Sequence, residues 1–313
     1  MHIILIDRIH PSLKNGLEAA GHYCKEAYNI KKSDIENIIH KYEGIFIRSR
    51  FILDENFIKK ARKLRFIGRA GSGLENIDVR FAKSKNIECF NASEGNKQAV
   101  AEHALAMILC LFNKLNRADK EVREGIWERE KNRGIEMSGK TVAIIGYGNN
   151  GSAFAKLLQG FQVRILAYDK YLSNYPYQSS MEEIYNEADI ISLHIPLTEE
   201  TKYLVNHNFI NQFKKNLYLI NISRGKCVEI RSVVDHLKNG KLLGACLDVL
   251  ESEEISFNDV NRDILNNDMN YILNSNKTIL SPHIAGWTLE SNIKIAEVLL
   301  EKVTIFAKEN TNL

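Results

Sequence analysis

The chain has no long apolar run, no paired-cysteine motif, no block of like charge and no low-complexity tract. Its longest strongly apolar stretch is ALAMILCLF (104–112). A bilayer needs about 20 such residues, so no membrane partner is expected and the stretch reads as a buried helix. The cysteines are Cys24, Cys89, Cys110, Cys227 and Cys246. An odd set without a CxxC pair argues against a disulfide framework, and no metal site is expected. Cys89, Cys110 and Cys246 lie in apolar runs and are expected as small core residues. The opening MHIILIDRIHPSL lacks the basic leader and cleavage site of a secreted chain, so a cytoplasmic protein is expected. Lys and Arg are spread along the sequence and the net charge is only +3, which argues against a nucleic-acid partner.

What is present is an ordinary globular composition, 44% hydrophobic and 26% charged, over 313 residues. That length suits two domains, each with its own core. HIILID (2–7), GIFIRS (44–49), LRFIG (64–68) and NIECF (86–90) read as strands, with helices to about Ala20 and over 55–63. Alternating strands and helices imply a parallel sheet covered on both faces. From Asn96 to about Lys114 the pattern predicts one long apolar helix, and 131–140 reads as a loop. Strand candidates resume at TVAIIG (141–146), VRILAY (163–168), DIISLH (189–194), LYLINI (217–222), GACLDV (244–249) and KTILS (277–281). This is the order of a doubly wound nucleotide-binding domain. The polar segment 252–276 reads as a long excursion, partly helical from Asp263 to Leu273, and 289–309 has helical spacing.

The sharpest local signal is GYGNNG (146–151), set between the strand TVAIIG and the helical SAFAKLLQG. Gly146 permits a tight turn, Gly148 lets backbone approach a pyrophosphate, and Gly151 lets helix pack on strand. The helix start offers free N–H groups and a positive dipole end to phosphates. Asp169 ends the next strand at the distance expected of the ribose-binding acid. It would accept ribose hydroxyls and repel a 2′-phosphate, favouring NAD over NADP, a preference that the adjacent Lys170 softens.

Three later segments bring unusual polar residues to strand ends: NISRG (221–225) with Arg224, LDVLESEE (247–254) with Glu253, and SPHIAGW (281–287) with His283. In open α/β sheets ligands bind outside those ends. Oxidising a secondary alcohol needs a base for the hydroxyl proton, which a His supplies near pH 7. A carboxylate beside it fixes its tautomer. An Arg forks onto a carboxylate. Pro282 restricts the residue before it and stiffens the approach to His283. Taken singly, a His after Pro is more often structural, an Arg at a strand end more often ion-paired, and Glu253 lies in an acidic run. Their shared placement after the glycine motif favours chemistry.

RAGSGLENID (69–78), VAEHALAMIL (100–109), GKTVAIIGYGNNG (139–151), LHIPLTEET (193–201), NISRG, GACLDV and SPHIAGWT (281–288) together resemble the D-2-hydroxyacid dehydrogenase family, in family order over most of the chain. GIWERE…GIEMSGKT (125–141) is most similar to its D-3-phosphoglycerate dehydrogenase branch. The resemblance implies an α/β fold of two doubly wound parallel-sheet domains with an active-site cleft between them. These are a flavodoxin-like substrate domain (1–97 plus 289–313) and a Rossmann NAD domain (98–288). It implies an NAD-dependent enzyme of serine biosynthesis acting on a small 2-hydroxy or 2-keto acid. Arg224 would hold the substrate carboxylate, His283 would be the general acid/base, and Glu253 its partner. Asn149 and Asn150 would follow the pyrophosphate. Ile195, Ile222 and Ser223 would line the cofactor, and Asp248, Ile284, Ala285 and Gly286 would meet its nicotinamide end. Ser72 would reach the cofactor from the first domain, where Arg48, Ser49, Arg69 and Gly71 would close on the substrate. Arg69 serves equally well as a surface salt-bridge residue.

The chain departs from the family pattern in places. Glu254 stands where the family usually has Pro, and Glu251 and Glu253 both remain available as partner to His283. The chain stops soon after its terminal helix, so feedback through a regulatory domain is not expected. The alternatives are a glyoxylate or hydroxypyruvate reductase, or an NADH-sensing module like the C-terminal-binding-protein corepressors. Against the latter stands the absence of a disordered tail or basic arm. A homodimer is expected, with the long helix and GIWERE (125–130) as candidate contacts, unless Trp127 packs within its own subunit.

Overall fold

The computed structural model describes residues 1–253 and 267–310. They form two compact units, one of residues 1–97 and 287–310, the other of residues 98–253 and 267–286.

In the first unit, β1 (His2–Leu5), β2 (Tyr23–Glu26), β3 (Gly44–Ile47), β4 (Phe66–Arg69) and β5 (Glu88–Phe90) make a parallel sheet ordered β2-β1-β3-β4-β5. That is the flavodoxin-like doubly wound order. Successive strand residues point to opposite faces. Ile3 and Leu5 thus join Phe46 and Phe66 in one core, and Ile4 and Ile6 join Ile45, Ile47 and Ile67 in the other. With both faces buried, β1, β3 and β4 read as continuous apolar runs, while the edge strand β5 is only half-buried. The exception is β2, which the sequence pattern does not predict. It is an edge strand, and of YCKE only Cys24 is buried. The helix Leu289–Glu309 adds Ile295, Ala296, Leu299 and Val303 to one of these cores. Its start is fixed by a reciprocal capping box between Thr288 and Ser291.

In the second unit, β6 (Thr141–Ile145), β7 (Arg164–Tyr168), β8 (Ile190–Leu193), β9 (Leu217–Asn221), β10 (Leu242–Leu247) and β11 (Thr278–Leu280) form a parallel sheet ordered β11-β10-β9-β8-β6-β7. A parallel bridge between Ala167 and Gln178 adds a rudimentary further strand beside β7. Counted with it, the order is the Rossmann 3-2-1-4-5-6, extended by one. Strand order reverses between β6 and β8, so a ligand crevice opens at their C-terminal ends. Both faces are again buried. Ala143, Ile145 and Leu193 face one core, and Val142, Ile144 and Ile190 the other.

The predicted long helix is observed as Ser93–Phe112, and a second helix, Leu115–Arg123, follows separately. The break is at Lys114, whose φ of 52° is left-handed and cannot continue a right-handed helix. Within the excursion, a helix spans Asn267–Asn274, and residues 254–266, including Glu254 and the expected helix start near Asp263, lie outside the described residues. Among the cysteines, Cys24, Cys227 and Cys246 are buried, whereas Cys89 and Cys110 are only half-buried, contrary to expectation. Cys89 sits on the edge strand β5 and Cys110 near the end of its helix, so solvent reaches one side of each. Among the described residues no helix is long and apolar enough to cross a membrane.

Candidate active site

The glycine motif forms the turn between β6 and the helix Asn149–Leu158. Gly146 has φ +93°, and a Cβ there would stand 2.5 Å from the His194 carbonyl oxygen. A Cβ on Gly151 would stand 2.0 Å from the Gly146 carbonyl oxygen, so glycine is what lets the helix sit against the turn. Gly148 differs. Nothing lies within 4 Å of its Cβ position and its φ is −73°, so no need of the chain's own packing explains it. Open space at a helix N-terminus is what a pyrophosphate requires. Asn150 points the same way, because its Oδ1 is buried and has no partner within the described protein. A buried acceptor without a donor is costly. These residues fit a dinucleotide.

Asp169, just past β7, is held by three backbone donors. Its Oδ2 accepts the N–H of Tyr147 at 2.9 Å, and its Oδ1 accepts those of Tyr171 at 2.9 Å and Leu172 at 3.1 Å. The acid is thereby locked to the glycine turn it would serve. Lys170 is paired with Glu200, which also accepts the Tyr171 hydroxyl at 2.7 Å. At the end of β8, the N–H of Ile195 donates to Ser223 Oγ at 3.1 Å, and Ser223 Oγ–H donates to the Leu193 carbonyl at 2.6 Å. Ser223 and Ile222, both buried, thus join the ends of β8 and β9. His194 lies alongside Gly146 with Nε2 2.9 Å from Ser192 Oγ, and burial pushes its pKa down to about 3.

The second group gathers after β9, β10 and β11. Arg224 follows β9, with its Nη1 donating to the Ser223 carbonyl at 2.6 Å. His283 Nδ1 lies 2.9 Å from Glu253 Oε2, so two residues 30 positions apart meet directly. The side chain of His283 is 22% exposed and that of Glu253 15%, which leaves them reachable from solvent without being bathed in it. A carboxylate only accepts, so Nδ1 carries the hydrogen and Nε2 is left to exchange a proton. Glu251, two residues earlier, is engaged elsewhere. It accepts the Tyr203 hydroxyl at 2.6 Å and the N–H of Ile230 at 3.3 Å. That bond pushes the Tyr203 phenol up to about 12, so it remains a donor. Backbone at His283 is left-handed, φ 56°. For a non-glycine residue this costs free energy and persists only where surroundings impose it, typically at functional sites. The imposing group is Asp248. Its carbonyl accepts the His283 N–H at 2.7 Å, and its carboxylate accepts the N–H of Ile284 at 2.8 Å and of Ala285 at 2.9 Å. Gly286 follows, half-buried.

In the first unit the candidates sit at the C-terminal ends of β3 and β4. Arg48 donates from its backbone to Asp7 at 2.6 Å, and from Nε to the Arg8 carbonyl at 3.2 Å. Its guanidinium also meets Asn292 and lies 4.8 Å from the centre of the Trp287 ring. Burial lowers its pKa from the usual value, and Asp7 opposes that. Ser49 follows it, half-buried. Arg69 Nε donates to the Arg48 carbonyl at 3.2 Å, and its guanidinium lies over Gly71, where a Cβ would be 1.7 Å from Nη1. Ser72 Oγ–H donates to Asn96 at 2.8 Å. The structure therefore brings Arg48, Arg69 and Gly71 together, and ties Ser72 to the helix Ser93–Phe112.

Residues 105–285 match the sequence profile described as "D-isomer specific 2-hydroxyacid dehydrogenase, NAD binding domain". The chain belongs to the D-isomer specific 2-hydroxyacid dehydrogenase family. Residues 105–285 are its NAD-binding domain. It is 32% identical to a D-3-phosphoglycerate dehydrogenase of Archaeoglobus fulgidus, over 94% of this chain and 54% of that one. It is 32% identical to a hydroxypyruvate reductase of Thermotoga maritima, over 88% of each. Among solved structures it is similar to the D-lactate dehydrogenase of Aquifex aeolicus complexed with NAD and lactic acid. There the TM-score is 0.82 and the identity 27%, covering all of this chain and 97% of that one. The chain spans about half the length of the D-3-phosphoglycerate dehydrogenases it matches.

Two features of this family member escape a reading of its sequence. His194 shows only as one letter in an apolar strand end. His103 shows only as the one imidazole in the apolar run VAEHALAMIL, and its Nε2 lies 2.8 Å from Ser281 Oγ.

Proposed function

We propose that this protein is an NAD-dependent dehydrogenase interconverting a small D-2-hydroxy acid and its 2-keto acid, with D-3-phosphoglycerate and 3-phosphohydroxypyruvate as the pair. The observation that carries the reaction class is the contact between His283 and Glu253. NAD, when bound, supplies the hydride acceptor. Gly148, Asn149 and Asn150 receive its pyrophosphate and Asp169 its ribose. Ile195, Ile222 and Ser223 line it, and Asp248 with 284–286 meets the nicotinamide end. In oxidation, neutral His283 takes the hydroxyl proton on Nε2. In reduction, the imidazolium returns it. Glu253 holds Nδ1–H and stabilises the imidazolium in either direction. Arg224 forks onto the substrate carboxylate.

The phosphorylated substrate is supported by the D-3-phosphoglycerate dehydrogenases among the relatives and by the cations Arg48 and Arg69, which together with Ser49 and Gly71 form the substrate-binding surface of the first unit. On this reading the protein is an enzyme of serine synthesis acting in the cytoplasm. A hydroxypyruvate or glyoxylate reductase is favoured instead by one observation, the near-equal coverage of the Thermotoga maritima relative. We also propose a homodimer through the segment 115–135. Leu115, Val122 and Trp127 there are 55%, 52% and 78% exposed, which is unusual for large apolar side chains. Trp127 therefore does not pack within its own subunit.

The deciding experiment follows NADH oxidation against 3-phosphohydroxypyruvate, hydroxypyruvate and glyoxylate. A strong preference for the first supports the phosphoglycerate reading. A preference for either of the others keeps the mechanism and discards that substrate. Tight NADH binding without turnover of any acid would overturn the enzyme reading in favour of a sensing module.

A further inference from the structure

The turn that carries His283 is tied down by Asp248, and Asp248 is linked in turn to a side chain that the proposed chemistry does not use. Asp248 is buried, 1% exposed, and both carboxylate oxygens are engaged. Oδ1 accepts the Ser281 hydroxyl at 2.6 Å and the Ile284 N–H at 2.8 Å, and Oδ2 accepts the Ala285 N–H at 2.9 Å. Ser281 has one hydroxyl proton and gives it to Asp248. Its 2.8 Å contact with His103 Nε2 must then run the other way, with Nε2–H donating to Ser281 Oγ. His103 Nε2 also lies 3.5 Å from Asp248 Oδ1. A chain of donors thus runs from the helix Ser93–Phe112 through Ser281 to the carboxylate that imposes left-handed backbone at His283. The sulfur of Met107, one helical turn after His103, lies 3.8 Å from the same Oγ as a weaker acceptor that competes with the carboxylate for the one proton.

We propose that His103 is a positioning residue for His283. By satisfying Ser281 it holds that hydroxyl on Asp248. Asp248 in turn keeps the 281–285 turn in the one conformation that sets the His283 ring against Glu253. Linked hydrogen bonds of this kind polarise and restrain one another in a partly buried site. Without the His103 donor, Ser281 has an unfilled acceptor and the turn loses an anchor. The His283–Glu253 contact then loosens, and the imidazolium loses part of its stabilising carboxylate. This rests on the reading of His283 as the acid/base.

The test is an imidazole titration by nuclear magnetic resonance on the full chain, with the His283 signal assigned by its loss in His283→Asn. It is run on wild type, His103→Leu and His103→Gln, alongside pH profiles of kcat and KM and the NADH Kd. His103→Leu is expected to lower the His283 midpoint by about half a unit and kcat by about fivefold, with KM and NADH Kd within about twofold. His103→Gln, which keeps an N–H donor, should restore the midpoint. An unchanged midpoint in His103→Leu overturns the proposal, and so does a lowered midpoint that Gln fails to restore. Should the Leu variant not fold, Ser281→Ala removes the same link and must lower the midpoint. No shift there overturns the proposal equally. A wild type without turnover would sink the dehydrogenase reading alone, because the midpoint reports positioning directly.

Discussion

Nδ1 of His283 lies 2.9 Å from Oε2 of Glu253, while Glu251 holds Tyr203 instead. The two glutamates are thereby assigned to different tasks. Glu253→Gln should lower kcat and move the imidazole-dependent limb of the pH profile to lower pH, since the lost carboxylate stabilised the protonated ring. His283→Asn should cost about 10²–10⁴-fold in kcat while NADH Kd holds. Glu251→Gln should instead lower thermal stability and leave that limb in place. Steady-state rates from pH 5 to 9 separate the three variants.

The glycines of the motif divide by what they avoid. Gly151→Ala drives a methyl into the Gly146 carbonyl, and should destabilise the fold by about 1–3 kcal/mol in urea denaturation. Gly148→Ala meets open space, and should change stability by less than about 0.5 kcal/mol. Its NADH Kd should nonetheless rise. A Gly148→Ala protein that binds NADH normally would refute the pyrophosphate assignment.

On the proposed reading, Asp169 sets the choice between dinucleotides. Replacing it with Asn removes the charge that repels a 2′-phosphate, so the ratio of NADPH to NADH Kd should fall by about tenfold. Fluorescence titration with both cofactors measures this. Lys170 contributes little in wild type, being paired with Glu200.

His194 gives the second unit a defined response to acid. Its pKa is pushed down to about 3 by burial, against about 6.5 in an unfolded chain. Between those values the unfolded state binds the extra proton, so the stability that neutral His194 provides is complete above about pH 6.5 and is lost progressively toward pH 3. His194→Leu should flatten the fall in urea midpoint between about pH 6.5 and 4. An unaltered slope would show that other groups govern acid unfolding.

The exposed apolar residues of 115–135 should be covered in solution. Wild type should sediment as a dimer, and Val122→Glu with Trp127→Glu as a monomer that keeps NADH binding. A wild-type monomer would refute the interface.

The sequence by itself determined the elements whose signals are local. Apolar runs make every strand of both sheets legible except polar β2, most plainly where both faces are buried, as in β3, β6 and β8. The glycine motif is legible because turn, phosphate approach and helix packing fall within six consecutive residues. Glu253 could not be separated from Glu251 in this way, since a two-residue difference in a turn decides which carboxylate faces His283. The link from His103 to Ser281 spans 178 positions and exists only because a helix packs where β11 ends. Tertiary structure decided those matters because a hydrogen bond depends on distance and direction, which residue type and spacing do not specify over such separations.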